Sequence, residues 1–291
     1  MRIVGLNVQP FDAAKHRALP LVADARAGLD ALDAGLGNWK TAPAWVETAR
    51  SAKAAWLKSA VAVMAPTNGL PSDAQVIGAV HRARGSDVTL VCAAGGLPGE
   101  LHKLWPAGKP GSYHLEYGYS TMGYEIAGGL GVKLAKPDDD VIVMVGDGSY
   151  MMLNSEIASS IMLGAKLTIV VLDNRGYGCI NRLQMATGGA NFNNLLQDTY
   201  HEVLPEIDFV KHAESMGAVA RKASSIAELE SALDAARADA RTSVIVIDTD
   251  PLISTDAGGH WWDVAVPEVS PRPQVNSARK EYEEALKGQK L

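Results

Sequence analysis

The chain has 291 residues, 47% hydrophobic and 21% charged, the balance of a globular protein with room for about two domain-sized units of roughly 150 residues each. That composition excludes a disordered or collagen-like chain, and a net charge of −6 with no Lys/Arg cluster argues against a nucleic-acid partner. No apolar run approaches the ~18 residues of a spanning helix, the start has no apolar leader, and two cysteines cannot build a disulfide framework, so a cytoplasmic protein without a membrane partner is expected.

In chain order, residues 2–8 alternate enough to be a strand, ended by Pro10. Residues 22–34, rich in Ala and Asp, read as a surface helix, and a second helix begins at Pro43, with Trp45, Ala49, Ala52 and Trp56 at helical spacing. Trp45 and Trp56 read as packing residues. One strand and two helices cannot enclose a core, so this segment reads as the end of something larger or as a strap. From about residue 61 strands alternate with helices. Ser72 is a fitting N-cap for a helix over 73–84, closed by Gly85. A buried strand over 87–92 runs into a glycine loop over 93–99. A helix from Ser120 or Thr121 carries Met122, Ile126, Leu130 and Leu134 on one face until Pro137. There follow a strand over 140–145, a helix over 150–163, a strand over 166–172, a long loop over 173–205, a helix over 207–216, a short strand, a helix over 225–239, a strand over 243–249 and a helical tail over 276–291. This succession predicts an α/β fold, a doubly wound parallel sheet with helices on both faces.

The chemistry concentrates in Gly146-Asp147-Gly148-Ser149 and Asp173-Asn174-Arg175-Gly176. Asp147 and Asn174 each follow an apolar strand, and one crossover helix separates them, so both should emerge at the same carboxyl edge of neighbouring strands, where open α/β sheets bind ligands. A carboxylate (Asp147), an amide oxygen (Asn174) and a free carbonyl (Gly176) form a hard oxygen set suited to Mg²⁺. Gly148 and Ser149 lie at a helix N-terminus, which favours an anion such as a diphosphate. Either motif alone is ordinary turn chemistry; their conjunction points to a metal and a diphosphate at one spot.

The stretch from Gly146 to Gly176 resembles the diphosphate-binding motif of thiamine-diphosphate enzymes of the acetolactate synthase and pyruvate decarboxylase group. Ser120-Thr121-Met122-Gly123-Tyr124 resembles that group's Gly-Thr-Met-Gly-Tyr, with Ser in place of the first Gly. The resemblance implies thiamine diphosphate and Mg²⁺ as cofactors, the Ser120 carbonyl against the aminopyrimidine, and the Met122 side chain wedged beneath the bent cofactor. It also implies phosphate-side contacts from Gly96 and Leu97 of the glycine loop and from His102. The segments from Gly95 to Leu101, Tyr113 to Tyr119, Gly178 to Met185 and the pair Trp261-Trp262 resemble one subfamily, the trihydroxycyclohexanedione hydrolases. These open the ring of a cyclic polyol diketone to 5-deoxy-glucuronate in inositol catabolism. The resemblance runs over essentially the whole chain and makes His114, Glu116, Tyr117, Asn181 and Gln184 the substrate-side candidates.

The same resemblance implies an organisation. Residues 1–20 would be the end of a central domain, 21–60 a helical linker, 61–265 the diphosphate-binding domain and 266–291 a C-terminal tail. A pyrimidine-binding domain, carrying the cofactor-activating glutamate, would lie upstream. Glu125 and Glu156 read as structural, so no certain catalytic residue is expected in this chain, which should hold at most half of a cofactor site and work in a homo-oligomer with an N-terminal domain or subunit. Three other readings stay open: a carboligase or 2-oxo-acid decarboxylase using the same cofactor, a non-catalytic cofactor-binding subunit or fragment, and a nucleotide-binding dehydrogenase suggested by the doubly wound sheet alone. A dinucleotide fingerprint, a nucleophile elbow and zinc spacing are absent from the sequence. Cys92 reads as a core thiol, Cys179 as a thiol near the site, Asp138-Asp139-Asp140 as a solvated turn, and His260-Trp261-Trp262 as either a cover for the site or an anchored tail.

Overall fold

A computed structural model describes residues 2–255 and 263–288. They form two units, Met1–Ala55 and Trp56–Leu291. In the first, β1 (Val4–Asn7) leads through α1 (Pro10–Ala13) and a 3-10 turn into β2 (Leu19–Val22), and the two strands pair in parallel with Leu6 opposite Leu21. β2 was not legible: four residues are too few to show alternation, and Pro20 argues against a strand, yet a two-stranded ribbon leaves its nitrogen free of any ladder. Next comes α2 (Ala25–Leu36), whose cap is Asp24, accepting from the Arg26 and Ala27 amides at 2.9 and 3.2 Å. Then α3 (Pro43–Val63) begins at the expected proline. Trp56 packs as expected, its indole donating to the Lys103 carbonyl at 3.2 Å, whereas Trp45 is 64% exposed.

The second unit runs α4 (Asp73–Arg84), β3 (Thr89–Cys92), α5 (Gly96–Leu104), β4 (Tyr113–Leu115), α6 (Tyr124–Ala135), β5 (Val141–Gly146), α7 (Asp147–Met152), α8 (Glu156–Met162), β6 (Thr168–Asp173), α9 (Gly178–Ala186), α10 (Phe209–Ser215), β7 (Val219–Ala223), α11 (Ile226–Ala238), β8 (Ser243–Asp248) and α12 (Pro273–Lys287). Ser72 caps α4 through a reciprocal pair with Gln75. The six strands are parallel in the order β4-β3-β5-β6-β8-β7, the doubly wound sheet expected. Successive side chains of each central strand serve opposite faces. Ile142 and Met144 of β5 join Ile77, Leu101 and Leu229 from α4, α5 and α11. Val141, Val143 and Val145 join Ile126, Ile157 and Phe209 from α6, α8 and α10. Strands buried on both faces read as unbroken apolar runs, which is why 140–145 and 166–172 were legible.

Several boundaries differ from expectation, each for a local reason. The expected helix over 150–163 is two, because α7 starts on Asp147 itself and the chain turns out at Leu153 (φ −153°), where the Asn154 side chain donates to the Tyr150 carbonyl at 3.2 Å. α6 starts at Tyr124, after Gly123 in the left-handed region (φ 93°), so Met122 precedes the helix. On α6 itself Leu134 is 55% exposed while Ile126 and Leu130 are buried. The glycine loop is shorter than read, since α5 begins at Gly96. The long loop contains α9, whose polar Asn181, Arg182 and Gln184 hide its helical period, and a 3-10 turn at Leu196–Asp198. The three residues of β4 are too few to show a pattern, and α12 takes Pro273 into its first turn, three residues before the expected tail.

Candidate functional site

Strand order reverses between β3 and β5: the chain leaves β3 for β4 on one side and later builds β5, β6 and β8 on the other. That switch point leaves a crevice beyond the carboxyl ends of the two strands. A cavity of about 340 Å³ lies there, walled by Gly95, Gly96 and Leu97 after β3 and by Asp147, Gly148 and Ser149 after β5, and completed by Ser120, Met122, Asn174, Gly176 and Tyr177. The sheet thus brings together residues from four segments spread between positions 95 and 177.

Asp147 and Asn174 emerge from adjacent strands, paired in register from Ile142 with Thr168 to Gly146 with Leu172. One carboxylate oxygen of Asp147 (Oδ2) accepts the Gly176 amide at 2.8 Å. Its Oδ1 and the Asn174 Oδ1 are buried without a hydrogen-bond partner in the protein. Two orphaned hard oxygens at one strand edge are costly unless a ligand engages them. Asp147 is 6% exposed, and burial, reinforced by the neighbouring Asp173 carboxylate, pushes its pKa up to about 7; a divalent cation between the two oxygens would offset that penalty. The donor set therefore fits a magnesium ion. Gly176 has φ 148°, and an added Cβ would run into the Asn194 carbonyl, because the segment after α9 folds back there through a Tyr177 N–H···O=C Asn194 bond of 2.7 Å. The same Asp147–Asn174 wall borders a second cavity of about 770 Å³ beneath residues 195–208.

On the anion side, α7 points its N-terminus into the cavity. A Cβ on Gly148 would lie 2.8 Å from the Tyr177 ring and 3.6 Å from the Met122 methyl, so only glycine leaves a slot there, and Met122 reaches that slot. The Ser149 hydroxyl faces away, bonded to the Gly123 amide and the Glu125 carboxylate, leaving its backbone amide as the group that can meet a phosphate. Ser120 is held at φ 53°, an uncommon backbone state for a non-glycine residue. His102 does not join the cavity wall; its ring packs on Tyr113 and Tyr117 at 5.7 and 5.8 Å.

Of the substrate-side candidates, Tyr117 stands on the wall of the smaller cavity. Asn181 is 1% exposed with neither amide atom partnered in the protein. His114 sits on the edge strand β4, its Nε2 3.2 Å from the Gly111 carbonyl, over a shallow cleft on α6. Glu116 accepts the Tyr119 and Thr121 amides at 3.0 and 2.6 Å, contacts that fold the 116–121 loop and hold its carboxyl below the usual range. Gln184 bonds the Ala190 carbonyl and the Asn194 side chain, closing the loop after α9. Glu116 and Gln184 are thus spent on their own loops and do not line the cavity. His260, Trp261 and Trp262 lie outside the described residues.

Three wall residues escaped the sequence reading. Arg182 of α9 bonds the Pro251 carbonyl at 2.7 Å and lies against Gly96. Asp73, in the first turn of α4, is 7% exposed, and burial, with Arg182 opposing and Glu100 adding, pushes its pKa up to about 6. Tyr177 closes over Gly148. Arg182 lay inside a motif already singled out; no local pattern marks Asp73. Cys179 does reach the wall, and Cys92 is buried. Among the described residues no helix is long and apolar enough to cross a membrane.

The family described as thiamine pyrophosphate enzyme, C-terminal TPP binding domain, matches residues 93–247. A 3D-(3,5/4)-trihydroxycyclohexane-1,2-dione hydrolase of Geobacillus thermodenitrificans is 38% identical over 98% of this chain and 49% of its own length. One from Clostridium botulinum is 33% identical over 99% of the chain and 50% of its own. The chain therefore spans about half the length of the curated relatives it matches. Among solved structures, a thiamine diphosphate-dependent 4-hydroxybenzoylformate decarboxylase of Rhodococcus jostii shares the fold, with a TM-score of 0.64 at 19% identity over 86% of this chain and 44% of that one. By the family match and the cavity at the sheet's switch point, this chain belongs to the thiamine pyrophosphate enzymes and carries their C-terminal cofactor-binding domain.

Proposed function

We propose that this chain holds the metal and diphosphate half of a thiamine-diphosphate site in an enzyme that opens a cyclic polyol 1,2-diketone by hydrolysis of a C–C bond, giving 5-deoxy-glucuronate in inositol catabolism. The observation that carries the cofactor half is the pair of buried, unpartnered oxygens on Asp147 and Asn174 at the mouth of the cavity. The substrate follows from the relatives' name and from a likeness that extends over nearly the whole chain. The remaining parts of the reading are an N-terminal pyrimidine-binding domain or subunit supplying the activating glutamate, a homo-oligomer, and a cytoplasmic setting.

When bound, the cofactor supplies a nucleophilic carbon for a ketone and an electron sink for the broken C–C bond. The chain's own residues bind and orient. Asp147, Asn174 and the Gly176 carbonyl would hold Mg²⁺, and the Gly148 and Ser149 amides at the start of α7, with Gly96 and Leu97 at the start of α5, would take the diphosphate. Met122, reaching Gly148, would support the ring from below and the Ser120 carbonyl would meet its amino group. Tyr117 and Arg182, which line the cavity, would meet substrate hydroxyls or a carboxylate product.

Calorimetry with thiamine diphosphate and Mg²⁺ tests the half-site. Binding that requires Mg²⁺ and disappears in Asp147→Ala is expected. Silence at millimolar cofactor, persisting after co-expression with the N-terminal half of the Geobacillus relative, would end the thiamine reading. With that half present, an acyclic acid formed from the cyclic dione supports the hydrolase, whereas CO₂ release from a 2-oxo acid supports the decarboxylase alternative.

A further inference from the structure

Glu125 is 1% exposed in the first turn of α6, and burying a carboxylate is expensive unless its oxygens are engaged. Here both are. The Ser149 hydroxyl donates to the carboxylate, 2.7 Å from each oxygen. The Gly123 amide donates to Oε2 at 3.0 Å and also to the Ser149 Oγ at 2.7 Å. The Ala94 amide approaches Oε1 at 3.4 Å. These three donors come from three loops that wall the cavity: Ala94 precedes the glycine turn after β3, Gly123 follows Ser120 and Met122, and Ser149 lies in the first turn of α7. Glu125 itself is not on the cavity wall, and both of its oxygens are spent on these donors. That placement excludes it as a cofactor-activating glutamate, which would have to touch the ring.

We infer that Glu125 is a positioning residue, whose buried carboxylate ties the β3 turn, the Ser120–Gly123 turn and the α7 N-terminus into one rigid anion- and ring-binding cradle, with the Ser149 hydroxyl as its relay. Geometry makes the tie specific. Ser149 has a single hydroxyl proton and spends it on Glu125, while its lone pair takes the Gly123 amide, so removing Glu125 strips the Ser149 hydroxyl and the Ala94 amide of this acceptor, and removing Ser149 leaves the carboxylate and the Gly123 amide one partner fewer. Gly123 must stay glycine at φ 93°, where a Cβ would sit 3.1 Å from that of Leu153; the left-handed turn is thus hydrogen-bonded by Glu125 and Ser149 and packed against the C-terminal end of α7. A glutamine at 125 keeps the volume and one oxygen within reach of both the Gly123 amide and the Ser149 hydroxyl but sets its NH2 group against the Ala94 amide. Alanine leaves all three loops untied.

This inference rests on the cofactor reading for its purpose but not for its geometry, and the test separates the two. Deuterium uptake is followed in the cofactor-free chain for wild type, Glu125→Gln, Glu125→Ala and Ser149→Ala, alongside thermal melting and calorimetric titration with thiamine diphosphate and Mg²⁺. The expected result is faster uptake confined to residues 93–97, 120–124 and 147–152, larger for Ala than for Gln. Cofactor affinity should fall about tenfold or more, the usual effect of losing a group that orients a ligand's holders, and Glu125→Ala with Ser149→Ala combined should be no worse than the poorer single variant. A merely structural Glu125 would instead lower the melting temperature and quicken uptake across β5 and β6 with affinity unchanged, and that outcome overturns the inference. Uptake unchanged at all three loops overturns it too. If wild type binds no cofactor the thiamine reading fails, and the uptake pattern then decides the three-loop tie alone.

Discussion

Asp147 carries a conflict between stability and binding: its carboxylate is buried beside Asp173, with one oxygen spent on the Gly176 amide and the other on nothing in the protein. Replacing it by the isosteric amide, Asp147→Asn, should raise the melting temperature of the metal-free chain while abolishing the further rise that Mg²⁺ and thiamine diphosphate give wild type; paired melts with and without ligand check both halves. Asp73 offers a pH prediction. Its pKa is raised from 3.8 to about 6, chiefly by burial, so between those values the folded chain keeps a proton that the unfolded chain has released. Stability is therefore full below pH 3.8 and is lost as pH rises to about 6. The size follows from roughly 1.4 kcal/mol per pKa unit, about 3 kcal/mol in all. Asp73→Asn should flatten that slope in urea midpoints measured from pH 4 to 7.

Elements are placed by burial and tuned by what their ends must do. α11 packs Leu229, which is fully buried, into the face it shares with α4. Leu229→Ala should cost about 2–5 kcal/mol of unfolding free energy by the usual cavity penalty, read by denaturant titration, with Mg²⁺-dependent binding retained because α11 lies away from the cavity wall. The site-bearing segments are different: at Gly176 a glycine lets backbone approach backbone. At Gly176, held at φ 148° with the Asn194 carbonyl where a Cβ would stand, Gly176→Ala should push the segment after α9 away from the strand edge that carries Asp147 and Asn174. Weaker Mg²⁺-dependent cofactor binding, with a melting temperature lowered less than in Leu229→Ala, is the expected pair of readouts.

At the scale of the molecule the two units differ in what holds them. Trp56–Leu291 surrounds a six-stranded sheet with two apolar clusters. Met1–Ala55 buries only Ala13 and Gly28 among its described residues and leaves Phe11 78% and Leu19 70% exposed. So little buried surface cannot offset the ordering entropy of some fifty residues. Amides of β1 and β2 should therefore exchange orders of magnitude faster than those of β5 and β6 in native-state hydrogen exchange. Equal protection in both units would contradict this.

Local pattern alone was enough for the parallel sheet, for the succession of its central strands and helices along the chain, and for Asp147 and Asn174 at the ends of neighbouring strands. Val141–Val145 and Leu167–Leu172 are apolar without a break because both faces are covered, and the Gly-Asp-Gly and Asp-Asn that end them can only emerge at the carboxyl edge. Local pattern carries that information. What the tertiary structure decided is where side chains from distant segments point. It turned the Ser149 hydroxyl from the cavity to Glu125, sent His102 into an aromatic cluster, and spent Glu116 and Gln184 on their own loops. It also placed Asp73, Arg182 and Tyr177 on the wall. Short elements such as β2 and β4 and the split between α7 and α8 were decided there as well, since three or four residues hold no period and their hydrogen-bond partners lie elsewhere in the chain. The physical reason is the same throughout: a covered strand is fixed by the polarity of its own residues, whereas a loop side chain is fixed by whichever donor or acceptor folding brings beside it.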